Sequence, residues 1–170
     1  MTGAVRADMV GSSYSLDRMT AILFVCLGNI CRSPLAEGVF RARAETADVA
    51  ARFDLDSAGC GKWHVGEAPD PRSISAATHH GIDISGQRAR LITLDDFDTF
   101  DLILGMDRDN VAFLKRMQPS GSRARVALYR DEALGETKDV PDPYYGEARD
   151  FEHVYQLCAR ASDALLTKLV

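Results

Sequence analysis

AILFVCLGNICRSPLAEGVF, residues 21–40, decides the fold. Its first six residues form an apolar run of β-rich character. That run suits a strand buried on both faces of a parallel sheet. Leu27-Gly28-Asn29-Ile30-Cys31-Arg32-Ser33 interrupts it. Pro34 then opens LAEGVFRARAETA, in which Leu35, Val39 and Ala42 recur at helical spacing. The opening unit is therefore a strand, a glycine-containing loop and a helix.

Similar units follow. FDLDSAG (53–59) predicts a second strand, and Ser73 to His80 a helix stopped by Gly81. LITLDDFDTF contains a short helical turn. DLILGMD (101–107) predicts a strand leading into the helix DNVAFLKRM, and Arg125 to Tyr129 a last strand. From about Phe151 onward, Val154, Leu157, Cys158, Ala161, Leu165 and Leu169 share one face of an amphipathic helix. This alternation implies an α/β fold, a three-layer doubly wound sandwich with a parallel sheet and helices on both faces. Ligands in such sheets sit beyond the carboxyl ends of the strands, where the loop after Cys26 lies.

The bulk numbers bound the possibilities. A chain of 170 residues reads as one domain with a substantial core. Net charge is −5 with both signs mixed along the chain, so no clustered basic face points to nucleic acid. An anionic substrate stays compatible, because a few local donors can hold one on an acidic protein. No stretch approaches the roughly 20 apolar residues of a membrane span. The first residues, MTGAVRADMVGSSYSLDRMT, lack the apolar core of a signal peptide. Residues 1–19 are expected to be a flexible extension, native or upstream of a start at Met19, ahead of a domain over 20–170. Cytoplasmic location is expected, with Cys26, Cys31, Cys60 and Cys158 as free thiols.

The loop from Cys26 to Ser33 carries the chemistry. Unpaired N–H groups at a helix start point outward where the helix dipole is positive, and phosphate binds there. Successive amides from Leu27, Gly28, Asn29, Ile30, Cys31, Arg32 and Ser33 can form an anion nest. Gly28 is expected to supply a backbone angle that a β-carbon penalises, and Asn29 to tolerate such angles and brace the loop. Cys26 stands at one end, in a positive field that favours a thiolate. Arg32 stands at the other, offering a planar fork of donors. Ser33 is placed to donate to the thiolate when it departs. These residues alone describe a thiolate over an anion site, without fixing the anion or the reaction; a buried strand-end cysteine is the alternative. Rival motifs fail. Gly61-Lys62 is followed by Trp63 rather than Ser or Thr, and no Gly-x-Gly-x-x-Gly follows a strand. Zinc spacing is also absent: there is no Cys-x2-Cys, and the four histidines lack helical ligand spacing with a glutamate.

VCLGNICRSPLAEG and DPYYG, with DSAG, WHVG, DPR, HHGIDIS, ARLIT, DFDTFDLILGMD and FEHVYQLC in order between and after them, resemble the low-molecular-weight protein tyrosine phosphatase family over residues 20–170. The resemblance implies a four-stranded parallel sheet of flavodoxin-like type and no metal or organic cofactor. It makes Cys26 the nucleophile, Arg32 the phosphate-binding residue and Asp142 the general acid. Family order selects Asp142; a second Asp-Pro, Asp70-Pro71, reads by itself as a turn. Asn29, Ser33, Ser57 and His80 would brace the loop, although His80 equally fits an ordinary helix-end histidine. Trp63, Tyr144 and Tyr145 would wall the substrate ring. Cys31 would form a reversible disulfide with an oxidised Cys26, leaving Cys60 and Cys158 structural. The implied partner is a phosphotyrosine protein or an aryl phosphate, met without nucleic acid or membrane by a monomer or weak homodimer.

Three other functions compete. An arsenate reductase of the same fold would need a cysteine relay, and no cysteine lies between 61 and 157. A phosphoarginine phosphatase would be expected to carry threonine where this chain has Ile30. A non-catalytic phosphotyrosine-binding module would more often have lost one of the catalytic residues, all of which are present.

Overall fold

The computed structural model describes residues 18–170, so the extension expected over 1–19 lies almost wholly outside the described residues. β1 (Thr20–Cys26) pairs in parallel with β2 (Phe53–Gly59) on one side and β3 (Leu102–Gly105) on the other. β4 (Arg125–Leu128) lies beyond β3, giving the order β2-β1-β3-β4 in an all-parallel sheet.

The apolar run at 21–26 is now explained. Ile22, Phe24 and Cys26 enter one core; Ala21, Leu23 and Val25 enter another on the opposite face. The first core is closed by α1 (Arg32–Thr46), α2 (Pro71–His79), α5 (Tyr129–Leu134) and α6 (Ala148–Leu169). The second is closed by α3 (Asp96–Thr99) and α4 (Arg108–Met117). A strand with side chains buried on both faces has no polar side to alternate with, hence its continuous hydrophobicity.

Strand order reverses at β1. The chain runs outward to β2, then returns across β1 to β3 and β4. β1 leads to α1 on one face and β3 leads to α4 on the other, so the connections part and open a crevice between them. Cys26 and Asp107 stand at its two lips.

Boundaries differ from the sequence reading in informative places. α1 starts at Arg32, which puts Pro34 inside the first turn, where its missing N–H has no intrahelical partner to lose. α2 starts at Pro71 because the Asp70 carboxylate accepts from the Arg72 N–H at 2.8 Å. Gly81 stops it as expected, in the left-handed region at φ 77°. β4 ends at Leu128, and Tyr129 opens a helix the sequence did not announce. Tyrosine favours strands, and six residues are too few to display a period.

Phe24 is fully buried, with Tyr129 edge-on at 5.7 Å and Phe40 at 6.1 Å between centroids. Phe24→Ala is expected to cost about 3–5 kcal/mol, read as a lower urea midpoint with unchanged slope.

Candidate active site

α1 begins without help from its own side chains. Its N-cap, Cys31, makes no side-chain capping bond, and its first turn holds no acidic residue. α2 and α4 differ, for Asp70 and Asp107 occupy their first amides. The positive end of α1 is thus left for an anion from outside.

The loop before it is shaped by Asn29, the residue in the left-handed region, at φ 58°. Gly28 does not adopt a positive φ, which corrects the expectation that it supplies that angle. It is small for another reason: a β-carbon there would lie 3.0 Å from His64 Cδ2. The Asn29 side chain closes the loop from behind. Its Oδ1 accepts from the Arg90 N–H at 3.0 Å, and its Nδ2 donates to Ser33 Oγ at 2.8 Å and Ser57 Oγ at 2.9 Å. A backbone N–H can only donate, so Arg90 fixes which way the amide faces. Ser33 Oγ then accepts from Asn29, and its own proton is free for Cys26 Sγ, 3.1 Å away.

Arg32 is almost completely enclosed, at 2% exposure. Nη1 donates to Asp107 Oδ2 at 2.7 Å and to the Val140 carbonyl at 3.1 Å, while Nη2 stands 3.6 Å from Asp142 Oδ2. Burial opposes its charge, but Cys26, Asp107 and Asp142 outweigh that and hold the guanidinium above its ordinary pKa. One nitrogen anchors the side chain, and the other keeps only the longer approach to Asp142.

Above the loop is a cavity of about 230 Å³. Cys26, Ile30 and Arg32 contribute to it, with Trp63, Tyr144, Tyr145 and Asp142 around them. Tyr144 and Tyr145 meet edge to face at 4.9 Å, and Trp63 is 68% exposed, so the aromatic walls reach outward. Asp142 is held by its own turn, Oδ1 accepting from the Tyr144 N–H at 3.1 Å. Cys31 is buried, and burial followed by Asp70 and Cys26 pushes its thiol up to about 12. Cys60 and Cys158 are also pushed up to about 12, chiefly by burial. A larger cleft of about 600 Å³ between α2 and α6 has no thiol in its lining.

His80 does not join the bracing network, which corrects that expectation. Its Nε2 pairs with Glu152 Oε1 at 2.7 Å, and its ring stacks on Tyr155 at 3.8 Å. The reason is helical rise. The start of α2 abuts the loop, Asp70 N–H donating to the Ile30 carbonyl at 2.8 Å. Nine residues on, His80 lies roughly 13 Å along the axis. Its place is taken by Arg90 N–H. Asp107, Arg90 and Arg72 escaped the sequence reading; Asp107 alone left a signal, as an acid just past the end of a strand beside the one that ends at Cys26.

Among the described residues, no group of three or more His, Cys, Asp or Glu side chains could hold a metal ion, and no helix is long and apolar enough to cross a membrane. The family model described as low molecular weight phosphotyrosine protein phosphatase matches residues 21–170. The chain belongs to that family. The pig low molecular weight phosphotyrosine protein phosphatase (Sus scrofa) is 45% identical over 151 residues, covering 88% of this chain and 95% of the relative. The protein of the same name in Schizosaccharomyces pombe is 48% identical over 136 residues, covering 79% and 86%. The crystal structure of Primo-1 superposes with a TM-score of 0.83 at 42% identity, covering 89% of this chain and 99% of that one.

In this phosphatase, Asn29→Ala removes three hydrogen bonds at one stroke, two buried and one partly buried. It is expected to weaken inhibition by inorganic phosphate by about tenfold or more. Unchanged inhibition in a folded variant would mean the network does not shape the loop.

Proposed function

We propose that this phosphatase hydrolyses phosphotyrosine in proteins, and small aryl phosphates, by two displacements at phosphorus through a phosphocysteine. The observation that carries the reading is Cys26 Sγ 3.1 Å from a serine hydroxyl at the uncapped start of α1, on the floor of an aromatic-walled cavity. In the first step the Cys26 thiolate attacks phosphorus, and an S–P bond forms as the P–O bond to the phenol breaks. The electron pair leaves on the phenolic oxygen, which takes a proton from Asp142. Arg32 and the loop amides follow the equatorial oxygens into the transition state. In the second step Asp142, now a carboxylate, takes a proton from water. The water oxygen attacks phosphorus, the S–P bond breaks, and Cys26 departs as a thiolate steadied by the Ser33 hydroxyl. Inorganic phosphate is the product. Positive charge comes from Arg32 and the backbone, so no step calls on a metal.

Trp63, Tyr144 and Tyr145 supply substrate selectivity. A flat aromatic slot above a sunken nucleophile admits an aryl ester, whose phosphate extends beyond its ring, ahead of a shorter alkyl one. Ile30 is only 8% exposed and adds an apolar patch to the wall. Cys31, a neutral buried thiol, is the residue we assign to capture an oxidised Cys26 as a disulfide.

Cys26→Ser is expected to abolish turnover of p-nitrophenyl phosphate, by at least about a thousandfold, while still binding an aryl phosphonate. Surviving turnover would contradict the nucleophile. Asp142→Asn is expected to lower kcat/KM, which reads the first displacement alone, by about 10²–10⁴-fold for esters of poor leaving groups and far less for activated esters. Equal losses across leaving groups would remove Asp142 from the acid role.

A further inference from the structure

Asp142 stands at the cavity rim on an irregular segment between α5 and α6, and its side chain is 46% exposed. Its carboxylate has the Tyr144 N–H at 3.1 Å and Arg32 at 3.6 Å. A general acid needs tighter placement, because an error of about 1 Å in a reacting group can cost about a hundredfold. The Asp70-Pro71-Arg72 corner, a mere turn in the sequence, spans the gap between this segment and the phosphate loop.

The contacts run in one continuous chain. Asp70 N–H donates to the Ile30 carbonyl at 2.8 Å, fixing the corner to the phosphate loop. The Asp70 carboxylate receives Arg72 Nε at 3.0 Å and Nη2 at 2.9 Å, a two-point grip on the guanidinium. The far edge of Arg72 reaches the acid's segment, where Nη2 donates to the Tyr144 carbonyl at 2.9 Å and Nη1 to the Gly146 carbonyl at 3.3 Å. Tyr144 is thus held at its carbonyl by Arg72 and holds Asp142 through its N–H. The guanidinium face lies 4.4 Å from the Phe151 ring centroid, and fully buried Phe151 packs with Ile30 and Cys31 of the phosphate loop.

Resting on the reading of Asp142 as general acid, we propose that Arg72 is a positioning residue for it, with Asp70 as the anchor that ties acid and nucleophile loops into one frame. Helix capping does not account for this arrangement. The cap uses the Arg72 backbone N–H and would survive any side chain at 72. Carboxylate, two carbonyls and an aromatic face require a planar fork, which lysine lacks.

Arg72→Gln keeps the cap and loses the fork. Its kcat/KM on phenyl phosphate, which reads the first displacement alone, is expected to fall about 10- to 100-fold, against about threefold or less on a dinitrophenyl ester. In an Asp142→Asn background the same substitution should cost less than about threefold on either ester, since it acts through a group already disabled. Inhibition by inorganic phosphate, which reads the nucleophile loop, should change less than about twofold. Equal losses on both esters, or a loss that persists without Asp142, would overturn the proposal. Hydrogen exchange reads the frame without chemistry. The Tyr144 and Gly146 amides, which donate within this segment, should exchange at least about tenfold faster in Arg72→Gln, with those of β1 and α1 unchanged. Unaltered exchange there would also overturn it. Should Arg72→Gln fail to fold, Arg72→Lys keeps the charge without the fork and is expected to show the same split between esters. If Asp142→Asn alone shows no dependence on leaving group, the acid role falls, and exchange at Tyr144 and Gly146 still decides whether Arg72 holds the segment.

Discussion

The side chain of Asn29, bonded at once to Arg90 N–H, Ser33 and Ser57, is the contact on which the site depends. In the proposed phosphate cradle the loop turns its amides toward one point, which crowds like partial charges together and gains nothing from them until an anion arrives. It must be held from outside the point of convergence. Asn29 does so from behind, buried, where each hydrogen bond is stronger than in water and each broken one costs more. Directionality follows from the same contact. A single backbone N–H fixes the amide, the amide fixes the serine, and the serine proton faces the sulfur.

Arg32 is the second centre. A buried guanidinium is tolerable only when its charge is met, and removing one partner of such a pair is more costly than the pair's net worth. Here the partners come from three places: Asp107 past the end of β3, Val140 ahead of Asp142, and Asp142 itself. Sheet topology brings them together. β1 and β3 are neighbours whose following helices lie on opposite faces, so the crevice is lined from both.

The fold was legible because its cause is local. AILFVC reads as a doubly buried strand, and helical spacing after Pro34 closes the unit without knowledge of any distant residue. The loop after β1 was legible for the same reason, since Cys26, Asn29, Arg32 and Ser33 fall within eight positions. The rest lies beyond local pattern. Arg90 is 61 residues from Asn29, Asp107 is 75 from Arg32, and Arg72 is 72 from Tyr144. Nothing in the spacing of Asp70-Pro71 and Asp142-Pro143 separates the anchor from the proposed acid. The misplacement of His80 has the same root: a helix's sequence position does not say which end meets the loop.

In the proposed mechanism Cys26 carries the phosphoryl group between the two displacements. Mixing the enzyme with a radiolabelled phosphotyrosine peptide, quenching in acid within one turnover and mapping the labelled fragment tests it directly. Label is expected on the fragment containing Cys26 and is lost in Cys26→Ser. Label on any other residue, or turnover with no labelled protein at any time, would contradict it.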